Sequence, residues 1–326
     1  MAVIQDKYGR RFRNLRVSLL NHCNLGCVYC VAGDEAEPGM ATADTRIAHA
    51  RSAPLSVPTL LEMIGRLHGQ LDLRTIRLTG GEPTLYRGLV ELIGGIREIG
   101  ITDIKLTTNG FLLEKLAAPM KKAGMESVNV SLDAIDEDVF FRMSKRHSAD
   151  RVIRGIDAAL DAGLSVKINT VVMKGMNDTQ ILPLLEFAFS RDLRIRFLEV
   201  MAMGHLQHQS GRFLFSQAEM LSVISTRYRF SPLGRAGSAT SSYWLTDCGH
   251  YFGVIANESE PFCGDCDRLR LDSEGNIYGC LSSNHPIPLD LEEGQSSWDE
   301  KLTEALLQKQ AVRFTGSDLS MLHIGG

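Results

Sequence analysis

The sequence predicts an α/β fold in which six parallel strands with outer helices curve around a polar interior, followed by a smaller cysteine-bearing module. Three observations carry this. Between residues 14 and 200 strand-like and helix-like segments alternate at the roughly 30-residue interval of a βα unit. One parity of every strand candidate is polar while the other is Val, Ile, Leu or Phe. The rhythm stops after residue 205, and four of the seven cysteines lie beyond that point.

The elements follow in order. Strands are expected at residues 14–20, 75–80, 103–109, 127–133, 165–172 and 194–200, and helices at 58–69, 87–99, 112–123, 149–162 and 178–190. Gly124 and Gly163 fit helix C-caps and Asp178 an N-cap. The polar parity reads Arg16/Ser18, Arg77/Thr79, Lys105/Thr107, Asn129/Ser131, Lys167/Asn169 and Arg194/Arg196. Parallel sheets covered on both faces normally read as continuous apolar runs, so this alternation predicts a sheet wrapped around a ligand-filled lumen. An open sheet with one solvated face is the other reading. Residues 205–242, rich in Gly, Ser, Gln and Arg, read as a connection, and residues 243–285 carry short alternating segments at 268–271 and 277–281. The expected division is residues 1–205 and 206–326.

Composition narrows the function. With 35 Lys and Arg against 39 Asp and Glu, the formal charge is −4 over 326 residues. That balance argues against broad binding to nucleic acid or an anionic membrane, both of which want a basic surface. A local cationic pocket stays open. Residues 1–13 are polar, without the apolar core of a signal peptide, and no apolar run is long enough to span a bilayer. A cytoplasmic protein is the expectation.

Cys23, Cys27, Cys30, Cys248, Cys263, Cys266 and Cys280 are odd in number and grouped near both ends, a poor disulfide framework and a good pair of metal sites. The first group is C-x3-C-x2-C on the loop leaving the first strand. Three thiolates there would ligate three irons of a [4Fe–4S] cube and leave the fourth open, whereas zinc would want a further Cys or His ligand nearby. The second group, Cys263, Cys266 and Cys280, is C-x2-C-x13-C. It suits a second cube with a free iron, or a zinc knuckle completed by Cys248 or His250. Cys248 otherwise reads as a buried free thiol. Arg268 and Arg270 alternate on one strand face, where they would meet anionic oxygens bidentately or simply face solvent.

C-x3-C-x2-C with an aromatic before the last Cys, Tyr29, resembles the radical S-adenosylmethionine (SAM) superfamily. Gly80-Gly81-Glu82-Pro83, alone only a turn signal, then resembles the superfamily's SAM-binding turn, and Thr108-Asn109-Gly110 and Ser131-Leu132-Asp133 end the next two strands. The second triad, Arg268-Leu269-Arg270 and the terminal Gly325-Gly326 narrow the likeness to the GTP 3′,8-cyclase family of molybdenum cofactor biosynthesis, over nearly the whole chain.

That resemblance implies an incomplete (β/α)6 TIM-type radical SAM barrel with a C-terminal Fe-S cluster module. It implies Cys23, Cys27 and Cys30 on the SAM cluster, and Cys263, Cys266 and Cys280 on a substrate cluster. Tyr29, Gly80, Gly81, Glu82, Ser131 and Met201 match SAM-binding positions; Arg16, Arg77, Thr108, Lys167, Arg268 and Arg270 match GTP-contacting ones, with Arg196 a further basic candidate. Arg16 is the expected catalytic residue, helping to quench the cyclised intermediate. The cofactors implied are two [4Fe–4S] clusters and S-adenosyl-L-methionine. The chemistry implied is removal of hydrogen from C3′ of the GTP ribose and closure onto C8 of guanine. Implied partners are GTP, a flavodoxin-type reductant, a downstream cyclic pyranopterin monophosphate synthase and a second copy of the chain.

Met201, off the parity of Arg196, would otherwise read as core filler, and Gly325-Gly326 as a fraying end. The resemblance instead sends that tail into the active site. The chain departs from the family pattern at Asn21-His22 (commonly Asp-Arg), at Thr75 (often Lys), and in a longer, more acidic segment at residues 31–58. These departures bear on substrate identity and leave a paralog acting on another nucleotide, or a peptide or natural-product modifier, as the alternative. A non-catalytic metal module would have no use for the polar lining.

Overall fold

The computed structural model describes residues 4–31 and 53–325. Most of the long segment after Cys30, and Gly326, lie outside the described residues. The barrel repeats run β1 (Asn14–Ser18), α1 (Val57–Leu71), β2 (Thr75–Thr79), α2 (Leu89–Glu98), β3 (Asp103–Thr108), α3 (Leu113–Ala123), β4 (Ser127–Ser131), α4 (Glu137–Ser144), α5 (Ala149–Asp161), β5 (Ser165–Val172), α6 (Ile181–Phe189) and β6 (Arg194–Glu199). There follow α7 (Ser210–Phe213), α8 (Gln217–Ser225), β7 (Phe230–Gly234), β8 (Ser242–Thr246), β9 (Tyr251–Ile255), β10 (Arg268–Leu271), β11 (Asn276–Tyr278), β12 (Ile287–Pro288), α9 (Gln295–Leu307) and α10 (Met321–Ile324).

All six βα strands form, most ending one or two residues earlier than the sequence predicts. Their apolar parity (Leu15, Val17, Ile76, Leu78, Ile104, Leu106 and onward) is buried at 0–6% exposure under the helices. α1 shows why those helices form. Ser56 accepts the Thr59 amide at 3.3 Å as N-cap, and Leu60, Met63, Ile64, Leu67 and Leu71 fall at helical spacing on one buried stripe.

Gly124 caps α3 in the left-handed conformation and Gly163 follows α5 with φ +75°. Asp178 does not cap α6: it opens a 3-10 turn, Asp178–Gln180, and its carboxylate accepts the Gly175 amide at 3.1 Å. The sequence reading also missed α4, which starts at Asp136, whose side chain accepts the Val139 amide at 2.9 Å.

The twelve strands of the described residues belong to one sheet, ordered β12-β11-β10-β1-β2-β3-β4-β5-β6-β9-β8-β7. Neighbours from β1 to β6 are parallel. Residues 205–242 are more than a connection, since they contribute α7, α8 and β7. The later strands extend both edges of the barrel, β10 pairing parallel with β1 and β9 parallel with β6. The sheet therefore runs without a break across residue 205. Among the described residues no helix is long and apolar enough to cross a membrane.

Candidate active site

The polar parity lines a cavity of about 340 Å³, which Arg16, Arg77, Asn129, Ser131, Asn169 and Arg196 all face. A sheet with a solvated face is thereby excluded. All six triad cysteines reach the same cavity.

The loop after β1 carries Cys23, Cys27 and Cys30 and is held by neighbours rather than by secondary structure of its own. The last carbonyls of α4 receive it: Gly26 N–H donates to Ser144 O at 2.9 Å and Val28 N–H to Met143 O at 3.0 Å. Arg146 Nε donates to Asn24 O at 3.1 Å, and His205 Nε2 lies 3.0 Å from Val28 O. Asn109 Nδ2 donates to Asn24 Oδ1 at 2.7 Å and approaches Cys23 Sγ at 3.6 Å.

The turn after β2 comes so close to this loop that a Cβ on Gly81 would sit 1.9 Å from His22 O; only glycine fits. Glu82 is committed to the scaffold. Its carboxylate accepts from Thr84 N at 2.9 Å, Thr108 Oγ1 at 2.6 Å and Asn109 N at 2.7 Å, which ties β2 to β3 and occupies the Thr108 hydroxyl. Tyr29 OH donates to Asp133 Oδ2 at 2.8 Å, and burial pushes that carboxyl up to about 6. Ser131 and Met201 line the cavity, Met201 two residues past the end of β6.

Burial, then the charge of neighbouring groups, pushes the Cys23 thiol up to about 12 and raises Cys27 and Cys30 as well. Thiols whose surroundings favour the neutral form in this way become thiolates only against a strongly cationic centre. Among the described residues no three His, Cys, Asp or Glu side chains converge on a single ion. A [4Fe–4S] cube spreads its thiolates over separate irons, and the soft donor set fits it.

The second triad sits across the chamber. Cys263 opens a 3-10 turn, Cys266 closes it just before β10, and Cys280 follows β11. Burial raises Cys263 to about 11. At Cys266 the upward push of burial is outweighed by Lys309 and Arg268, leaving it at about 6. Neither proposed fourth zinc ligand is available. Cys248 is exposed rather than buried, at the β8–β9 turn with Sγ 3.1 Å from Thr246 Oγ1, and His250 stacks on Phe189 at 4.6 Å. Neither lines the cavity.

Strand register concentrates the cations. Arg16 pairs with Arg270 on one side and Arg77 on the other, and Arg77 with Lys105, so four basic residues stand side by side across β10, β1, β2 and β3. Burial, and then mutual repulsion, lowers Arg16 well below its usual value and takes Arg77 and Arg270 to about 10 and Lys167 to about 8. Arg196 Nε donates to Asn169 Oδ1 at 2.9 Å while its Nη2 is buried without a partner. Arg268 Nη1 donates to Ser238 O at 2.8 Å. Lys167 shares the lumen parity, opposite Asn129, but does not itself line the cavity.

The buried carboxylate of Glu199 does not neutralise this set; it accepts Gln217 N and Glu258 N at 2.9 Å and Ser259 N at 3.0 Å. The chamber is short of negative charge. An anionic ligand is what such a wall accommodates.

The tail reaches the same wall. Arg270 Nη1 donates to Gly325 O, and Ser18 Oγ to His323 O at 3.3 Å. Gly326 lies outside the described residues. Glu199, His205 and Lys309 were missed by the sequence reading: none shares a motif with the cysteines, Glu199 ending β6, His205 following it, and Lys309 lying past α9.

This barrel and its thiol loop define the radical SAM class, and the radical SAM superfamily description matches residues 17–188. A Molybdenum Cofactor Synthesis C description matches residues 193–316. Among solved structures, Streptococcus suis SuiB bound to precursor peptide SuiA shares the fold, with a TM-score of 0.66 at 14% identity over 93% of this chain and 69% of that one. A GTP 3′,8-cyclase from Synechocystis sp. is 38% identical over 283 residues, 86% of this chain and 83% of the relative. One from Staphylococcus carnosus is 38% identical over 284 residues, covering 86% and 82%. The chain belongs to the GTP 3′,8-cyclase family. Superfamily membership brings with it SAM and a [4Fe–4S] cluster.

Proposed function

We propose that the chain converts GTP to 3′,8-cyclo-7,8-dihydro-GTP, the first step of molybdenum cofactor biosynthesis. The observation that carries this reading is one chamber with a thiol triad at each side and a register-aligned row of Arg270, Arg16 and Arg77 between them. Cys23, Cys27 and Cys30 hold the SAM cluster, and Cys263, Cys266 and Cys280 a second [4Fe–4S] cluster facing the substrate. When bound, the reduced cluster and SAM together supply hydrogen-abstracting radical chemistry.

This chain's own residues do the rest. Tyr29, the Gly80–Gly81 turn, Ser131 and Met201 bound the SAM half, while Glu82 and Thr108 hold the turn's shape. Arg77, Arg196, Arg268 and Arg270, which line the cavity and enter no carboxylate ion pair among the described residues, take the triphosphate with its roughly four negative charges, and Lys167 adds its charge from just outside the lining. Fixing ribose and base in one register is an effective-molarity contribution. Arg16, at the centre of the row, is the catalytic group that meets the cyclised product with its guanidinium protons. Residues 206–326 act as the module that completes the substrate half. A flavodoxin-type reductant supplies electrons, a cyclic pyranopterin monophosphate synthase takes the product, and the chain pairs as a homodimer.

Anaerobic reconstitution tests the reading. Iron for two cubes, SAM cleavage that depends on GTP, and a cyclised nucleotide identified by mass are the expected results. SAM cleavage driven by another nucleotide or by a peptide, with none from GTP, would overturn it.

A further inference from the structure

Lys309 is a buried cation that the proposed reaction does not use. It lies two residues past α9 at 6% exposure. Its ammonium donates to Arg268 O and lies 3.6 Å from Cys266 Sγ and 4.7 Å above the ring of Phe12, itself 1% exposed. It enters none of the carboxylate ion pairs of the described residues. A desolvated ammonium without an anion is costly, and the sulfur of Cys266 is the acceptor within reach that can carry a full negative charge.

The surrounding contacts fix that placement. Gln308, the preceding residue, accepts the Gly279 amide at 2.9 Å beside Cys280. Gly279 packs so tightly on α9 that a Cβ there would fall 1.6 Å from Ala305 O. Arg10 Nη1 donates to Cys263 O at 2.7 Å and Gln310 O at 3.5 Å, strapping the first half of the triad to the residue after Lys309. The residues just past α9 therefore hold Cys266 directly, Cys280 through its neighbour Gly279, and Cys263 through Arg10, whereas in the first triad the hydrogen bonds of Cys23 among the described residues run to Asn109, Asn24 and Leu25.

We propose that Lys309 is a positioning residue for the second triad, setting one fixed positive charge against the Cys266 sulfur so that a cluster held there is easier to reduce than it would be without it. The inference rests on the two-cluster reading. Hydrogen bonds to ligating sulfur and nearby charge are the protein's levers on cluster potential, and a cation stabilises the state with the extra electron.

The test is an anaerobic redox titration of the reconstituted holoprotein, followed by electron paramagnetic resonance, on wild type, Lys309→Met, Lys309→Gln and Lys309→Arg. With Lys309→Met or Lys309→Gln, the reduced-to-oxidised ratio of the second centre at the wild-type midpoint should fall about tenfold, about 59 mV for one electron. The first centre should stay at its wild-type potential, which also reports that the variant has folded, and Lys309→Gln serves if Lys309→Met does not fold. Lys309→Arg should restore the second centre. Loss of that centre in the neutral variants with retention in Lys309→Arg supports the proposal equally. An unmoved second potential, or loss in Lys309→Arg as well, overturns it alone; a wild type with one centre overturns it together with the two-cluster reading.

Discussion

The lysine on the fifth strand shows how this chamber stores its affinity. Burial first, then Arg196, Arg194 and Lys105, brings Lys167 to about 8 against the ordinary 10.5. In the free protein its charge penalty is fully present below about pH 8 and is relieved as pH rises toward 10.5, so apo stability from this group increases across that window. A triphosphate reverses the sign, because it favours the ammonium and takes up a proton on binding there. GTP affinity should therefore fall as pH rises above about 8, by at most about tenfold per pH unit. Lys167→Met should bind GTP more weakly at pH 7 and flatten the profile, both readable by calorimetry. A wild-type profile already flat from pH 8 to 10 would remove Lys167 from the binding set.

α4 illustrates what an element contributes when the sequence does not announce it. Residues 137–144 are mostly charged or aromatic and sit between a strand and a longer helix with an obvious stripe, so the eye passes over them; yet the α4 carbonyls of Met143 and Ser144 receive the first cysteine loop. Asp136→Ala removes the N-cap that starts the helix, at a cost of about 1 kcal/mol. The expected result is a lower Tm together with loss of iron from the first triad only, followed by the signal of each centre. Equal iron loss from both triads would mean that α4 does not act on its own loop.

The repeating βα units were legible because 3.6-residue and two-residue periods survive single substitutions. Asp178 was not, since the choice between capping a helix and closing a turn at Gly175 depends on where Asn177 points, and Asn177 donates to Val171 O in its own repeat and to Asp133 O in the preceding one. The lumen parity was legible for the same reason as the repeats, although it could not show that Lys105 and Lys167 stop short of the wall that Arg77 and Arg196 reach.

At the scale of the molecule, the decisive feature is that one sheet is extended at both edges by residues from the chain's last third. This explains how a protein of net charge −4 presents so cationic an interior: β10 sets Arg268 and Arg270 against β1, so the wall is assembled only when sequence ends meet. The tail completes the same closure. Gly325, at φ +74°, passes over β1 and β2 so closely that a Cβ would lie 2.6 Å from Thr79 Cγ2, and its carbonyl meets Arg270. Gly325→Ala is strained twice over, by the left-handed backbone and by the missing space. Because the tail packs only into the small cluster of Met203, Tyr278 and Ile324, apart from the main core, the substitution should leave Tm and both cluster signals near wild type while cyclisation falls at least tenfold and GTP-dependent SAM cleavage changes with it. Cyclisation at the wild-type rate in Gly325→Ala would mean that the tail's contact with Arg270 is packing alone, and that the cation row works without it.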